Sequence, residues 1–224
     1  MERERKCAKP GGSEADAMPK KGFADVKTYL NSGNVWPFAT ARLENRLCFL
    51  WSASDREIKM KIRKSTEQDF NRIMEIYAFA REYMKTHGNP NQWGPTNWPP
   101  EELIHNDIKE GNSYVCLNET EQVIGVFYFI SGKNIEPTYK NISEGAWAGS
   151  DTYGVVHRLA GDGSEKGIGA FCIDWAFSKC GNLRIDTHGD NIVMQNLLKK
   201  LGFNHCGTIY VEEDNYPRLA FEKF

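Results

Sequence analysis

The stretch YGVVHRLAGDGSEKGIGAFCIDWAF, residues 153–177, decides how this chain is read. Tyr153–Ala160 is an apolar, β-branched run of strand length. It enters a turn that holds Gly161, Gly163, Gly167 and Gly169, and a helical pattern begins at once. Glycines let a backbone approach a ligand closely. The first amides of a helix have no partner within it, and its dipole favours negative charge there, so such a turn is a candidate phosphate site. Two familiar phosphate loops are excluded. A G-x-G-x-x-G from Gly161 would need glycine where Lys166 stands, and no G-x-x-x-x-G-K-[ST] starts at Gly161 or Gly163.

Working outward, the neighbouring segments are regular from Lys61 onward. KIRKS reads as a strand, and Ser65-Thr66 followed by Gln68 and Asp69 reads as a helix cap. Phe70, Ile73, Met74, Tyr77, Ala80 and Met84 recur at helical spacing. HGNPNQWGPTNWPP (87–100) reads as a loop, and 101–110 as a short helix opened by Pro100. SYVCLN (113–118) and EQVIGVFYFI (121–130) suggest an antiparallel hairpin. After the glycine turn, 167–180 predicts a helix and NLRIDT (182–187) a strand. A helix from Ile192, ended by Gly202, and strands at 206–211 and 218–224 complete the pattern. The order βααββ–β–αβαββ implies an α+β fold, a mixed, mostly antiparallel central sheet flanked by helices.

Two motifs here resemble the GNAT superfamily of acyl-CoA N-acyltransferases. Ser164-Glu165-Lys166-Gly167-Ile168-Gly169 is similar to its [R/Q]-x-x-G-x-[G/A] helix opening. Asn191-Ile192-Val193-Met194-Gln195-Asn196-Leu197-Leu198-Lys199-Lys200-Leu201-Gly202-Phe203 is similar to its N-x-x-(small)-x-x-L-Y-x-x-x-G-F. The element order matches across 60–224. The resemblance implies that the amides of 165–169 (Glu165, Lys166, Gly167, Ile168 and Gly169) bind the pyrophosphate of acetyl-CoA, with Ser164 beside them among the cofactor-binding residues. It implies that Leu159 and Ala160 bond the pantetheine, and that Asn191 and Asn196 line the cofactor groove. Two positions depart from the family pattern. Ser164 replaces Arg or Gln, and Leu198 stands where many members carry the tyrosine that protonates the leaving thiolate.

Amine acetylation needs a base for the ammonium, polarisation of the thioester carbonyl and a proton for the thiolate. His157, Asp186 and His188 are the candidate catalytic residues, at or just beyond strand ends beside the expected cofactor. Alternation places Val155, His157 and Leu159 on one sheet face and Val156, Arg158 and Ala160 on the other. A histidine, with an ordinary pKa of about 6.5, can act as base directly or through water; hydrogen bonding across the sheet is the alternative role. Arg158 could hold a substrate carboxylate or pair with an acidic neighbour. Asp190 is a natural helix cap, and Cys172 either packs in the core or is activated near a helix start. Trp93, Trp98, Tyr139 and Trp147 lie in the irregular segments 87–100 and 134–150. There they are candidate walls of an acceptor pocket for a small amine with an apolar part, or simple loop anchors.

Composition narrows the function classes. The 224 residues carry 28 Lys+Arg and 30 Asp+Glu, a net charge of −2, which speaks against a nucleic-acid surface. The longest apolar run, VIGVFYFI at 123–130, is too short to span a membrane. MERERKCAKPGG has no apolar segment of a secretion signal. Cysteines 7, 48, 116, 172, 180 and 206 are scattered without C-x-x-C, which suits free thiols of a cytoplasmic protein without a metal site. Residues 1–59 carry 11 basic and 8 acidic side chains and read as a low-complexity or remnant extension, poorly ordered at 1–22. Within it GFADVKTYLNSGNV (22–35) resembles a fragment of an uncharacterised small bacterial domain family. Residues 60–224, with 17 basic and 22 acidic side chains, are expected to form the catalytic domain, for which Met60 is a candidate start. The expected activity is acetyl transfer from acetyl-CoA to a small-molecule amine by direct attack. A non-catalytic acyl-CoA-binding or regulatory module and a protein or peptide N-acetyltransferase are the alternatives, and a homodimer is compatible with each.

Overall fold

The computed structural model describes residues 59–211 and 216–224; the expected extension, through residue 58, and its 22–35 resemblance lie outside the described residues. Among the described residues, seven strands form one sheet: β1 (Lys61–Lys64), β2 (Ser113–Leu117), β3 (Val123–Lys133), β4 (Thr152–Gly161), β5 (Leu183–His188), β6 (Asn204–Tyr210) and β7 (Pro217–Lys223). Their spatial order is β1-β2-β3-β4-β5-β7-β6. Every neighbouring pair is antiparallel except β4–β5. Four helices accompany the sheet among the described residues: α1 (Phe70–Thr86), α2 (Glu101–Lys109), α3 (Ile168–Cys180) and α4 (Ile192–Lys200). The expected α+β order is therefore found, with short 3-10 turns added at Glu67–Asp69 and Pro137–Lys140.

Local chemistry explains where the helices begin. Thr66 and Asp69 form a capping box, with the Thr66 amide donating to Asp69 Oδ2 at 2.8 Å. Arg63 then grips the same carboxylate with both terminal nitrogens, at 2.7 and 2.8 Å. At α4 the cap is Asn191 rather than Asp190, because Asn191 Oδ1 accepts from the Met194 amide at 3.0 Å. The Asp190 amide instead donates to His188 Nδ1.

The sheet is covered on both faces. Ile73, Ile76 and Tyr77 of α1 and Ile104 and Ile108 of α2 pack with Val115, Leu117, Val126 and Ala160. On the other face Ile168, Cys172, Ile173 and Ala176 of α3 and Leu198 of α4 pack with Cys116, Phe127, Val156 and Ile185. Side chains alternate along β2, Val115 to one side and Cys116 to the other. Cys172 belongs to this core: its thiol is fully buried and bonded to that of Cys116, and both effects hold it protonated.

Along β4 the expected alternation fails at one residue. Val126 opposes Ala160 but Tyr128 opposes His157, so two residues of β4, Arg158 and Leu159, face the single Phe127. This is a β-bulge. Arg158 absorbs it at φ +53°, an uncommon conformation for a residue with a side chain. The slip moves Leu159 to the α3/α4 face with Val156, and Ala160 to the α1/α2 face. The same local twist bends β4 away from β5. Their parallel pairing covers only Gly154–Leu183 and Val155–Arg184.

Candidate active site

Beyond Val155 the two central strands splay, and a cleft of about 1410 Å³ opens between them. Its walls include His157–Gly161 of β4, Ile185–Thr187 of β5, the glycine turn, the start of α4 and the 87–100 loop.

The glycine turn forms one end. The amides of 165–169 have no acceptor among the described residues; the first helical bond is from Phe171 to the Gly167 carbonyl. Gly167 sits at φ +88°, and a Cβ built there would meet nothing within 4 Å. The turn therefore keeps a row of donors facing open space at a helix N-terminus, a fit for a phosphate group. Asp162 does not oppose such an anion. Its Oδ2 is taken by Arg72 Nη2 at 2.6 Å and its Oδ1 by the amide and hydroxyl of Ser164. The amide and hydroxyl of Ser164, an expected cofactor-binding residue, are thus both engaged within the turn. Lys166 is exposed outside the cleft walls, and Asn196 lies exposed on α4 away from the cleft. Glu165, Gly167, Ile168, Gly169, Leu159 and Ala160 all line it.

Asn191 lines the cleft as well, and its role is double. Besides capping α4, its Nδ2 donates to Gln92 Oε1 at 3.0 Å, and Asn89 Nδ2 donates to the same oxygen at 2.6 Å. The 87–100 loop is thereby tied to the start of α4. Trp93 and Trp98 of that loop face the cleft, Trp93 resting edge-on against Tyr77 with centroids 5.8 Å apart.

Three ionisable side chains, His157, Glu136 and Asp186, meet on the α1/α2 face. His157 Nε2 lies 3.0 Å from Glu136 Oε2, and its Nδ1 lies 3.7 Å from Asp186 Oδ1. Asp186 Oδ1 accepts the Tyr139 hydroxyl at 2.7 Å, while its Oδ2 has no partner among the described residues. Glu136 Oε1 accepts the Thr138 amide and hydroxyl. Burial alone would push the Glu136 carboxyl up, but the bond and charge of His157, with both Thr138 bonds, bring it down to about 2. Hydrogen bonding by Arg63, opposed by burial and aided by Thr66, likewise brings Asp69 to about 2.

Both groups bind protons more weakly folded than unfolded, so each stabilises the fold above its ordinary value, 4.5 for Glu136 and 3.8 for Asp69. Asp107, pushed up by burial, contributes with the opposite sign. Thermal unfolding followed from pH 7 downward is expected to hold steady to about pH 5 and then fall steeply towards pH 2. Glu136→Gln should flatten part of that fall.

Other expected site residues fall elsewhere. Tyr139 is only 2% exposed, so it supports Asp186 from beneath rather than walling a pocket. Trp147 donates to the Tyr139 carbonyl at 2.7 Å and stacks over Arg184, outside the cleft. His188 is buried, does not line the cleft, and holds the turn through the Asp190 amide. Arg158 lines the cleft but pairs with Asp107 at 2.6 Å and lies over the Tyr128 ring, so its acidic-neighbour role is the one realised. Glu136 and Gln92 were not signalled by the sequence. Glu136 precedes Pro137 and caps a 3-10 turn, a weak pattern that says nothing of its reach to His157 twenty-one residues on.

The carriage of Glu136 and Tyr139 depends on a buried ion pair. Glu222 is fully buried; its Oε1 takes Arg184 Nε at 2.7 Å and its Oε2 the amides of Ala148 and Gly149, both at 2.8 Å. Arg184 also donates to the Ser150 carbonyl and lies 3.9 Å from the Tyr153 ring centroid. These contacts fasten the 134–151 connection to the sheet beside the cleft.

A bulged strand splayed from its parallel neighbour, with a glycine-rich helix start at one end of the gap, is the arrangement of the GNAT acyltransferase fold, and this chain has that fold. A GNAT-family acetyltransferase from Streptococcus agalactiae is 28% identical over 75% of this chain and 96% of its own, with a TM-score of 0.67. A GNAT-family acetyltransferase from Listeria monocytogenes is 15% identical over 73% of this chain and 94% of its own, with a TM-score of 0.54. A phosphinothricin acetyltransferase from Sinorhizobium meliloti, in complex with AcCoA, is 18% identical over 73% and 87%, with a TM-score of 0.50. No protein-family model and no curated protein sequence matches the chain.

Proposed function

We propose that this protein is an N-acetyltransferase that moves acetyl from acetyl-CoA to the amine of a small molecule by direct attack. The observation that carries the reading is the continuity of one cleft from free helix-start amides to an acidic cluster around His157. The amides of 165–169 would hold the pyrophosphate, and the unpaired β4 edge at Leu159 and Ala160 would bond the pantetheine amides. Glu136, His157 and Asp186 would receive the acceptor ammonium, and the open Asp186 oxygen would take its proton. Catalysis would then rest on positioning two substrates in one gap and on polarising the thioester carbonyl. Arg158 is already paired with Asp107, which favours an acceptor whose recognised end is a cation rather than a carboxylate.

Calorimetry with acetyl-CoA tests the reading directly; absence of binding at millimolar concentration overturns it. Gly167→Val is expected to lower affinity at least about 100-fold. It forces a branched side chain into φ +88° and fills the space before the free amides. Unchanged affinity would mean that the turn is not the cradle. Release of free thiol with a panel of amines then separates an enzyme from a binding module.

A further inference from the structure

We propose that the Thr187 hydroxyl donates a hydrogen bond to the thiolate that leaves in the transfer reaction. The assignment rests on the acyl-transfer reading above. It answers a gap that both sequence and structure expose. Leu198, at the motif position where many family members carry a tyrosine, is fully buried in the core and has no proton to give.

Thr187 supplies what Leu198 lacks. It stands on β5 within the splayed stretch and lines the cleft. Its residue exposure is 2%, yet its Oγ1 is buried with no hydrogen-bond partner. A buried hydroxyl left unpaired is costly and uncommon in folded proteins, so one carried by a residue that lines the cleft is explained by a ligand that completes it. Its direction also fits. Along β5 the side chains alternate, and Ile185 packs on the α3/α4 face while Asp186 meets His157 and Tyr139 on the other. Thr187 therefore shares the face of Ile185, the face of the helix that carries Leu198. Asp186 and Thr187 thus serve opposite sides of one gap: a proton acceptor toward the amine and a hydrogen-bond donor toward the sulfur. Pairing of Thr187 with Leu219 of β7 fixes its backbone.

In the step, the amine nitrogen forms the new C–N bond and the C–S bond breaks with its electron pair moving to sulfur. Nitrogen sheds two protons in all: the ammonium's first goes to Asp186 and on to solvent before attack, and the second, lost as the C–S bond breaks, follows the same route. The Thr187 O–H bonds to the negative sulfur without transferring its proton, and the thiolate is protonated by solvent on release. A hydrogen bond to a charged atom is the stronger kind.

Titration of coenzyme A bound to the full-length protein, read by thiolate ultraviolet absorbance, isolates this contact from the acceptor and from turnover. The bound thiol is expected to ionise at lower pH than free coenzyme A. Thr187→Val keeps the side-chain shape and should raise that ionisation by about one pH unit or more. Thr187→Ser should restore it. Equal thermal unfolding of the three proteins shows that the fold is kept. If Thr187→Val binds coenzyme A with an unchanged thiol titration, the threonine assignment falls and the acyl-transfer reading stands. If the wild-type protein does not bind coenzyme A, both fall.

Discussion

Asp186→Asn is expected to cut the rate of acetyl transfer by roughly 10²–10⁴-fold while leaving acetyl-CoA affinity unchanged. The substitution keeps the shape of the side chain and an oxygen for the Tyr139 hydroxyl, 2.7 Å away in the wild type. What it removes is the negative charge facing the cleft from β5 and the open oxygen able to take a proton. The charge is not replaced by Glu136, whose carboxylate is already committed to His157 at 3.0 Å and to both Thr138 donors. Calorimetry with acetyl-CoA, run beside a thiol-release assay, separates the two effects. Loss of cofactor binding along with rate would show a structural role, and an undiminished rate would remove Asp186 from the chemistry.

The second large effect is on stability. Glu222→Ala should destabilise the domain by about 3–5 kcal/mol, because it strands the Arg184 guanidinium in a site where both side chains are at least nine-tenths buried. It also leaves the Ala148 and Gly149 amides without their acceptor. At this chain length that corresponds to a drop in Tm of roughly 10 °C. The paired replacement Arg184→Met with Glu222→Leu should recover much of the loss, since it removes the uncompensated charge along with its partner. Calorimetric melting of the single and double variants decides the matter. A single variant as stable as wild type would mean that water reaches the guanidinium.

The parts of this molecule that were legible in the sequence are those that short-range chemistry settles. The capping pattern around Thr66, the glycine turn and the helix ended by Gly202 each depend on residues a few positions apart. The cluster around His157 does not. His157 finds Glu136 across 21 residues of chain, and its second carboxylate lies on a different strand. Tyr139 and Trp147 looked like pocket walls because large aromatics in a polar stretch suit either a ligand or an anchor. The choice was made by Arg184 and Asp186, which draw them beneath the site. The bulge at Arg158 was invisible for another reason. Strict alternation holds until the partner strand is one residue short, and nothing in YGVVHRLA records the length of β3 opposite it.

The seam at Gly154 and Val155 gives the sheet an unusual mechanical plan. Strands β1–β4 and β5–β7–β6 are two plates joined along two residue pairs and then left apart. Past that seam the inner lips of β4 and β5 lack the rungs that an intact ladder would provide. An extended molecule bearing amides can supply those rungs itself, acting for the length of its stay as a temporary strand. Occupancy would then knit the two plates into one, and the protein would melt later by the amount that mass action sets for its ligand.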